Sequence, residues 1–392
     1  MIKKIPISGT KLGIMSVWAS LISLFDDKRI VLKLKKIVQK YTQSEHVFFL
    51  NSGLSCLSAI LEALKNKSAK TEVILPAYTA GSLIVAIQKA DLKPVLCEVS
   101  PEDFNFDSNF LDKIVCSNTL CIIAVHMFGI AAVDIEKIKN KYPDIVIVED
   151  ACQSMGTVIN NKSVGNLGHL SFFSLNKGKN LSTFGGGIIA TNDLSLSEKI
   201  KAQGTKSKKQ SLLRKIEIFI KLIVLSVVVN PIVYGLLYPI VERFKETAPP
   251  ENVEIKDYTG LQAHLACSLF EKLGRASDER YANGMSLIAG LSSEKQLILP
   301  QIAENSKPAF NRLPIVFRDL KKRQRVEVKL KQAGIETSRM YLKPLHHMFD
   351  LGYAWGNFPN AVFLAGHLLT LPCHPLLKQS DIDKIIKIIK SA

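Results

Sequence analysis

The sequence lacks several signals that would assign a function at sight. No two of its seven cysteines (Cys56, Cys97, Cys116, Cys121, Cys152, Cys267, Cys373) fall in a C-x-x-C spacing, and an odd number leaves one without a mate. Neither a disulfide framework nor a cysteine metal site is expected, and the thiols read as buried and reduced, as in a cytosolic protein. The eight histidines include no H-E-x-x-H pair, and the adjacent His346 and His347 point different ways in a helix or a strand, so no metal is expected. No G-x-G-x-x-G follows a strand. The glycine triplet Gly185 to Gly187 lies between two apolar runs, which argues against a nicotinamide dehydrogenase and for a tight turn or a close passage of backbone. Helix-turn-helix, zinc-finger and aromatic-basic RNA motifs are also missing. The formal charge of +16 therefore does not by itself imply nucleic acid, and none is expected as a partner. The apolar patch Leu12 to Phe25 follows Lys3 and Lys4 but has no small-residue cleavage site, so it reads as a helix and not a signal peptide.

What is present points to an α/β protein. A chain of 392 residues with 47% hydrophobic content exceeds one compact core, and two domains are the default. Residues 1–47 read as an N-terminal arm and helices. From Phe48 the texture changes: VFFLNSG runs an apolar strand into a small-residue turn, and LSCLSAILEALK spaces its apolar residues as a helix does. TEVILPAYTA, KPVLCEVS and TLCIIAVHMFG follow as strands, separated by helical segments at 81–89, 107–114 and 133–141. Strands alternating with such helices imply crossover connections and a mostly parallel sheet between helices, here a large domain over 48–195. Residues 257–392 read as a long helix and a smaller C-terminal α/β domain, ending in a helix over Asp381 to Lys390.

Two stretches in the large domain carry chemistry. LSFFSLNKGKNLSTFGGGIIAT, Leu170 to Thr191, delivers a loop with Lys177 and Lys179 between two strand-like runs, and Ile145 to Val148 end in Glu149 and Asp150. An amine and an acid at adjacent strand ends of an open sheet suit pyridoxal phosphate (PLP), which needs one to form a Schiff base and the other beside its pyridine nitrogen. Each residue alone also has a plain reading, as a solvated lysine or as a helix cap. Gly53 to Ser55 open a helix, where backbone N–H groups and the dipole favour phosphate. An ordinary capped helix is the alternative.

SFFSLNKGKNLSTFGGGIIAT and VEDACQSMG resemble the DegT/DnrJ/StrS family of sugar aminotransferases, of PLP transferase fold type I, and the similarity runs from about Phe48 to the C-terminus. The resemblance implies that Lys179, followed by Asn180, Leu181, Ser182 and Thr183, is the Schiff-base lysine and Lys177 a decoy. It implies Asp150 as partner of the pyridine nitrogen, Gln153 as a residue flanking the ring, and Ser174, Ser55 and the amides of Gly53 and Leu54 as phosphate ligands. LPAYTA places Ala80 where the family commonly has an aromatic on the ring, so Tyr78 or His126 is left to cover it, a core role being the alternative for both. The stretch from Arg339 to His346 is where substrate is approached. Members commonly carry Asn-x-Arg before the long helix and share their site across a homodimer; here those positions are Ile255 and Asp257. The implied activity moves an amino group from an amino acid donor, glutamate, to a keto-sugar acceptor linked to a nucleotide, in polysaccharide biosynthesis. Rival readings are a dehydratase, which the presence of Lys179 disfavours, an aminotransferase for a lipid-linked acceptor, and an inactive scaffold or regulator of the same fold.

Residues 196–256 are longer than the family's connection. Lys199, Lys201, Lys206, Lys208, Lys209, Arg214, Lys215 and Lys221 precede Leu222 to Val241, twenty residues without a charge. A full crossing would put residues after 241 on the wrong side of the membrane from the lysine. Asn230-Pro231 divides the run into halves of about ten residues, roughly 15 Å each if helical, half the hydrocarbon thickness. Arg214, Glu217 and Lys221 share one helical face, and Ile216, Phe219, Ile220 and Ile223 the other. The expectation is a cytoplasmic protein whose residues 211–245 touch the anionic inner face of the cell membrane, with burial in an oligomer interface as the alternative.

Overall fold

The computed structural model describes residues 3–24, 27–204, 207–228, 230–243 and 253–392. Phe25 of the N-terminal patch, Lys206, Val229 and the end of the insertion from 244 to 252 lie outside the described residues.

In chain order come α1 (Ile14–Ala19), α2 (Asp27–Thr42), β1 (His46–Leu50), α3 (Gly53–Lys65), β2 (Glu72–Pro76), α4 (Ser82–Lys89), β3 (Lys93–Cys97), α5 (Ser108–Ile114), β4 (Thr119–Val125), α6 (Ile135–Lys141) and β5 (Val146–Asp150). Two short strands, β6 (Val158–Ile159) and β7 (Lys162–Ser163), precede β8 (Leu170–Ser174), β9 (Gly187–Thr191) and α7 (Leu194–Gly204). The insertion forms α8 (Leu212–Val228) and α9 (Pro231–Arg243). Then follow α10 (Gly260–Phe270), α11 (Leu273–Leu291), β10 (Leu297–Ile298), β11 (Ser306–Lys307), β12 (Leu313–Phe317), α12 (Leu320–Gln332), α13 (Pro359–His367), β13 (Leu368–Leu371) and α14 (Gln379–Lys390). The long helix expected after 257 is thus two helices, broken at Glu271 and Lys272.

The main sheet runs β1-β9-β8-β5-β4-β2-β3. Its pairs from β8 to β3 are parallel, and β9 runs antiparallel between β1 and β8. Parallel strands covered on both faces read as continuous apolar runs, and all seven residues of β4 are buried. The carboxyl ends of β1, β2, β4, β5 and β8 therefore meet at one edge. Leu50, Gly187 and Ser174 stand in one register row there. Gly187 explains part of the glycine triplet: a Cβ on it would come within 2.3 Å of the Ser52 carbonyl oxygen, so backbone does pass closely here.

A second sheet, β10-β12-β13, is antiparallel. Helix α14 packs on α11 and α12, with Ile382, Ile385 and Ile389 spaced three and four apart and all buried. The N-terminal arm crosses to this part of the molecule. Ile5 bridges Ile335, Lys3 pairs with Asp381 at 2.9 Å, and His374 Nε2 lies 2.8 Å from the Pro6 carbonyl oxygen.

Helices α8 and α9 meet at 108°, and among the described residues no single helix is long and apolar enough to cross a membrane. The two-faced pattern expected for α8 is corrected. Ile218 and Leu222 are the buried positions, whereas Leu213, Ile216, Ile220, Val224 and Val227 are exposed. The reason is that α1 packs on α8, with Trp18 edge-on to Phe219 at 5.4 Å. Arg214, Glu217 and Lys221 pair with one another between these two apolar stripes.

Candidate active site

Alternation along β5 sends its last two side chains to opposite faces. Glu149 is wholly enclosed. Its Oε1 accepts from the Leu167 and Gly168 amides at 2.7 and 2.6 Å, and its Oε2 from the Gly165 amide at 2.8 Å and from His126 Nε2 at 2.9 Å. Burial alone would raise this carboxyl, but these donors outweigh it and hold Glu149 below the usual carboxylate range. His126 Nδ1 accepts from the Ala132 amide at 2.9 Å, which leaves Nε2 as the donor to Glu149. His126 is fully buried with both ring nitrogens engaged, so it offers no surface to a ring in the site. The expectation that it covers the cofactor is corrected to a core role.

Asp150, on the other face, is held by far less. Its Oδ1 accepts from the Cys152 amide at 3.0 Å. Burial pushes its carboxyl up, opposed by the Cys152 hydrogen bonds and by the charge of Lys179. The Cys152 thiol is likewise pushed up by burial, with Asp150 adding and Lys179 opposing. Lys179, Asp150 and Cys152 therefore share one electrostatic neighbourhood at the sheet edge.

The loop after β8 is clamped around this lysine. Asn311 Nδ2 donates to the Gly178 carbonyl at 2.9 Å and to Asn180 Oδ1 at 3.0 Å, while Asn180 Nδ2 donates to the Met155 and Ala309 carbonyls at 2.9 and 2.6 Å. Thr10 Oγ1 donates to the Lys179 carbonyl at 3.0 Å. Lys177 is exposed and Lys179 half-buried, so the fold itself separates the two lysines of the loop.

Beside them α3 begins. A Cβ on Gly53 would stand 3.0 Å from Ser174 Cβ and 3.2 Å from Cys152 Sγ, which brings Gly53, Ser174 and Cys152 together. Ser52 caps the helix, accepting from the Ser55 amide at 3.0 Å, and the Ser55 hydroxyl donates to the Glu254 carbonyl at 3.1 Å. Both polar groups of Ser55 are thus engaged within the chain. Leu54 is half-buried at the first turn.

Gln153 is buried, accepts from the Phe128 amide at 3.2 Å and donates to the Tyr341 hydroxyl at 3.1 Å. Tyr78 is buried at the end of β2, and its hydroxyl donates to the Arg339 carbonyl at 3.2 Å. With the Leu345 amide on the Ala77 carbonyl at 2.9 Å, this fastens the 339–345 segment over the sheet edge. Ala80 is half-buried at the following turn. Arg339 is half-buried, whereas the His346 ring packs against His347 and Phe358. Tyr341, Asn311 and Cys152 were not singled out from the sequence. Tyr341 is coupled to Asp150, Arg312 and Cys152 as well as bonded to Gln153, and burial pushes its hydroxyl up.

The DegT/DnrJ/EryC1/StrS aminotransferase family matches residues 28–390. The chain belongs to this family. It is 28% identical over 368 residues to a pleiotropic regulatory protein of Geobacillus stearothermophilus, covering 91% of this chain and 87% of that one. It is 24% identical over 363 residues to a dTDP-3-amino-3,4,6-trideoxy-alpha-D-glucose transaminase of Micromonospora megalomicea subsp. nigra, covering 90% and 86%. A Streptococcus pneumoniae chain solved in its PLP-form superposes with a TM-score of 0.80 at 20% identity, covering 99% and 98%. The protein is a PLP-dependent transaminase with the mixed α/β architecture of fold type I. Its residues fit that cofactor: a buried carboxyl with few donors of its own lies beside a lysine, at a helix start where a Cβ would crowd Ser174 and Cys152.

Proposed function

We propose that this transaminase moves an amino group from glutamate to a keto-sugar carried on a nucleotide, in the assembly of a cell-surface polysaccharide. The observation that carries the reading is the gathering of Lys179, Asp150 and Gln153 beside the start of α3 at one sheet edge. The relative from Micromonospora, named as a transaminase of a dTDP-linked sugar, supports the acceptor class.

PLP, when bound, supplies an aldehyde for amines and an electron-withdrawing ring that stabilises the charge left when a donor's α-proton departs. Lys179 takes that proton at Nζ and returns it, acting as base and then acid. Asp150 would pair, ionised, with the protonated ring nitrogen, a cation that offsets the burial now pushing its carboxyl up. Gln153, held by Phe128 and Tyr341, flanks the ring. Gly53, Leu54, Ser55 and Ser174 would hold the phosphate, and Tyr78, with Ala80 at the turn after it, fixes the 339–345 segment at this edge. Arg339 and His346 approach the acceptor, and the working unit is a homodimer. Residues 48–195 act as the cofactor-binding domain and 257–392 as the smaller domain. The deciding experiment is absorbance: the purified protein is yellow, glutamate bleaches it, and Lys179→Ala is colourless. A colourless wild-type protein that gains no colour with added PLP sinks the reading.

A second reading concerns location. The outward stripe of α8, with Ile232 and Leu236 of α9 and Met15, Trp18 and Ile22 of the α1 segment, leaves a set of apolar side chains in solvent on neighbouring elements. Lysines and arginines dominate the sequence around it. This supports contact with an anionic leaflet on the cytoplasmic face, without a crossing. Sedimentation with phosphatidylglycerol vesicles, but not with phosphatidylcholine vesicles, is the expected result. A dimer that falls apart when this stripe is charged, with no vesicle binding in the wild type, assigns the face to a second copy instead.

A further inference from the structure

The loop that carries Lys179 is held from outside by Asn311, which grips the neighbours Gly178 and Asn180, and by the N-terminal arm, which grips Lys179 itself. The lysine's own amide turns inward, donating to the Asn176 carbonyl at 3.2 Å. Its carbonyl accepts from Thr10 Oγ1 at 3.0 Å, and among the described residues this is the one tether on the lysine's backbone from elsewhere in the chain. Ser8 Oγ lies 3.4 Å from where a Cβ on Gly178 would stand, so the arm runs along the loop.

The same arm is fastened to the insertion on both sides of Thr10. Before it, the Lys4 amide donates to the Pro231 carbonyl at 3.0 Å, and the Lys4 ammonium lies 2.9 Å from the centre of the Tyr238 ring. Glu336 Oε2 joins arm to α9 directly, accepting from the Ile7 amide at 3.1 Å and from the Tyr234 hydroxyl at 2.6 Å. After it, α1 packs on α8, with Trp18 against Phe219. Tyr234 is the buried side chain of α9 among the described residues, so α9 rests on the arm with little apolar burial of its own. Elements of that kind are the ones that open first. Their outer sides are apolar: Met15, Trp18 and Ile22 around α1, and Ile232 and Leu236 of α9, stand in solvent on the elements that anchor the arm. A surface that buries these side chains favours the closed state of both anchors, and with them the stretch between, where Thr10 meets the lysine loop.

We infer that Thr10 is a positioning residue for Lys179 and that contact of the insertion with an anionic leaflet tightens the lysine loop through it, a link that rests on the aminotransferase and leaflet readings above. Away from the membrane the anchors of the arm open and close, and the loop loosens with them. On the membrane the arm stays closed, and Lys179 is kept where its proton transfer needs it.

The test follows hydrogen exchange of the amides from 176 to 183 in the full-length protein, with and without PLP, beside turnover of the holoenzyme with glutamate. Loss of one hydrogen bond of ordinary strength changes an opening equilibrium by roughly 5-fold. Thr10→Val should therefore speed exchange in this loop and lower kcat by about that factor, with the KM for glutamate within about twofold, and Thr10→Ser should restore both. Phosphatidylglycerol vesicles should slow the same amides in the wild type and raise kcat, phosphatidylcholine vesicles should do neither, and Thr10→Val should be blind to both. Tyr234→Phe, which cuts α9 from Glu336 without touching the loop, should weaken the vesicle effect, and it carries the test if Thr10→Val does not fold. A loop whose exchange and kcat ignore Thr10→Val overturns the inference, and so does faster exchange spread evenly over the whole chain, the mark of a merely structural contact. A wild type that sediments with phosphatidylglycerol vesicles while its loop exchanges as before overturns it too, leaving the leaflet contact standing. A wild type that binds no vesicles overturns the link together with the leaflet reading. A protein that never turns yellow with added PLP fails the aminotransferase reading instead, and the exchange rates still decide for or against Thr10.

Discussion

Around the end of β5 the protein encloses polar and charged groups, with Glu149, Asp150, His126 and Gln153 all buried, whereas along α8 and α9 it holds apolar side chains such as Leu213, at 80% exposure, out in solvent. Each arrangement is unfavourable for the isolated chain. Burying an ion costs several kcal/mol before its partners repay it, and leaving a Leu or Ile exposed forgoes about 1.5 to 3 kcal/mol of burial. The two regions differ in how much is offset internally. Glu149 has four donors and is complete; among the described residues Asp150 has those of Cys152 alone, and the outer stripe of α8 has nothing over it. Deficits left standing in a folded chain point to an outside group, which on the readings proposed above is the cofactor ring at Asp150 and an apolar surface at α8.

The sharpest test of the first half is Lys179→Ala. On the mechanism proposed above, losing the Lys179 amine should lower transamination by at least ~10³-fold, and more through loss of the covalent step. Because Lys179 is half-exposed, the melting temperature should hardly move, as differential scanning fluorimetry would show. Glu149→Ala should do the reverse. Three backbone amides and His126 would lose their acceptor in a dry interior, at a cost of about 3 to 5 kcal/mol in stability by urea titration. If Glu149→Ala left stability untouched, the distinction between a completed acid and an uncompleted one would fail.

The order of strands and helices was readable because parallel strands buried on both sides leave long apolar runs, and crossover helices leave their own period between them. Lys179 and Asp150 stand out in the sequence because Asp150 ends such a run and Lys179 follows one within four residues. What could not be read are the groups that arrive from far along the chain. Tyr341 reaches Gln153 across 188 residues, and Asn311 reaches Gly178 across 133, with no local pattern to announce either. His126 went astray for a related reason. A histidine after a strand looks the same whether it meets a ligand or a buried acid, and the Ala132 amide and the 165–168 turn decide the matter. On α8 the inward stripe at Ile218 and Leu222 depended on α1 folding back against it, so a two-faced helix became a three-striped one.

A buried group away from both regions provides a control. His374 is enclosed where the N-terminal arm meets the C-terminal part, and burial lowers its pKa from the ordinary 6.5 to about 4. The unfolded chain takes up a proton near 6.5, the folded one only near 4. Its contribution is therefore whole above pH 6.5 and is lost as pH falls from there to 4, by about 3 kcal/mol in all. His374→Gln should flatten that part of the curve in urea titrations between pH 7 and 4.5. A wild-type stability that held level across this window would show that His374 is not enclosed as described.

The smallest effect on the isolated protein is expected on the outer stripe, and that is what makes it informative. Leu213→Glu, Ile220→Glu and Val224→Glu replace side chains that already face water, so each should change stability by no more than about 0.5 kcal/mol and leave turnover of soluble substrates as it was. Leu222→Glu, two residues from Ile220 but fully buried, should be far more destabilising, because a carboxylate there would have no partner. On phosphatidylglycerol vesicles the order reverses: the three outer changes together abolish sedimentation, since each removes apolar surface and adds a charge repelled by the lipid. Were the outer changes to unfold the protein as Leu222→Glu does, the stripe would be part of its core, and the contrast with the strand ends would disappear.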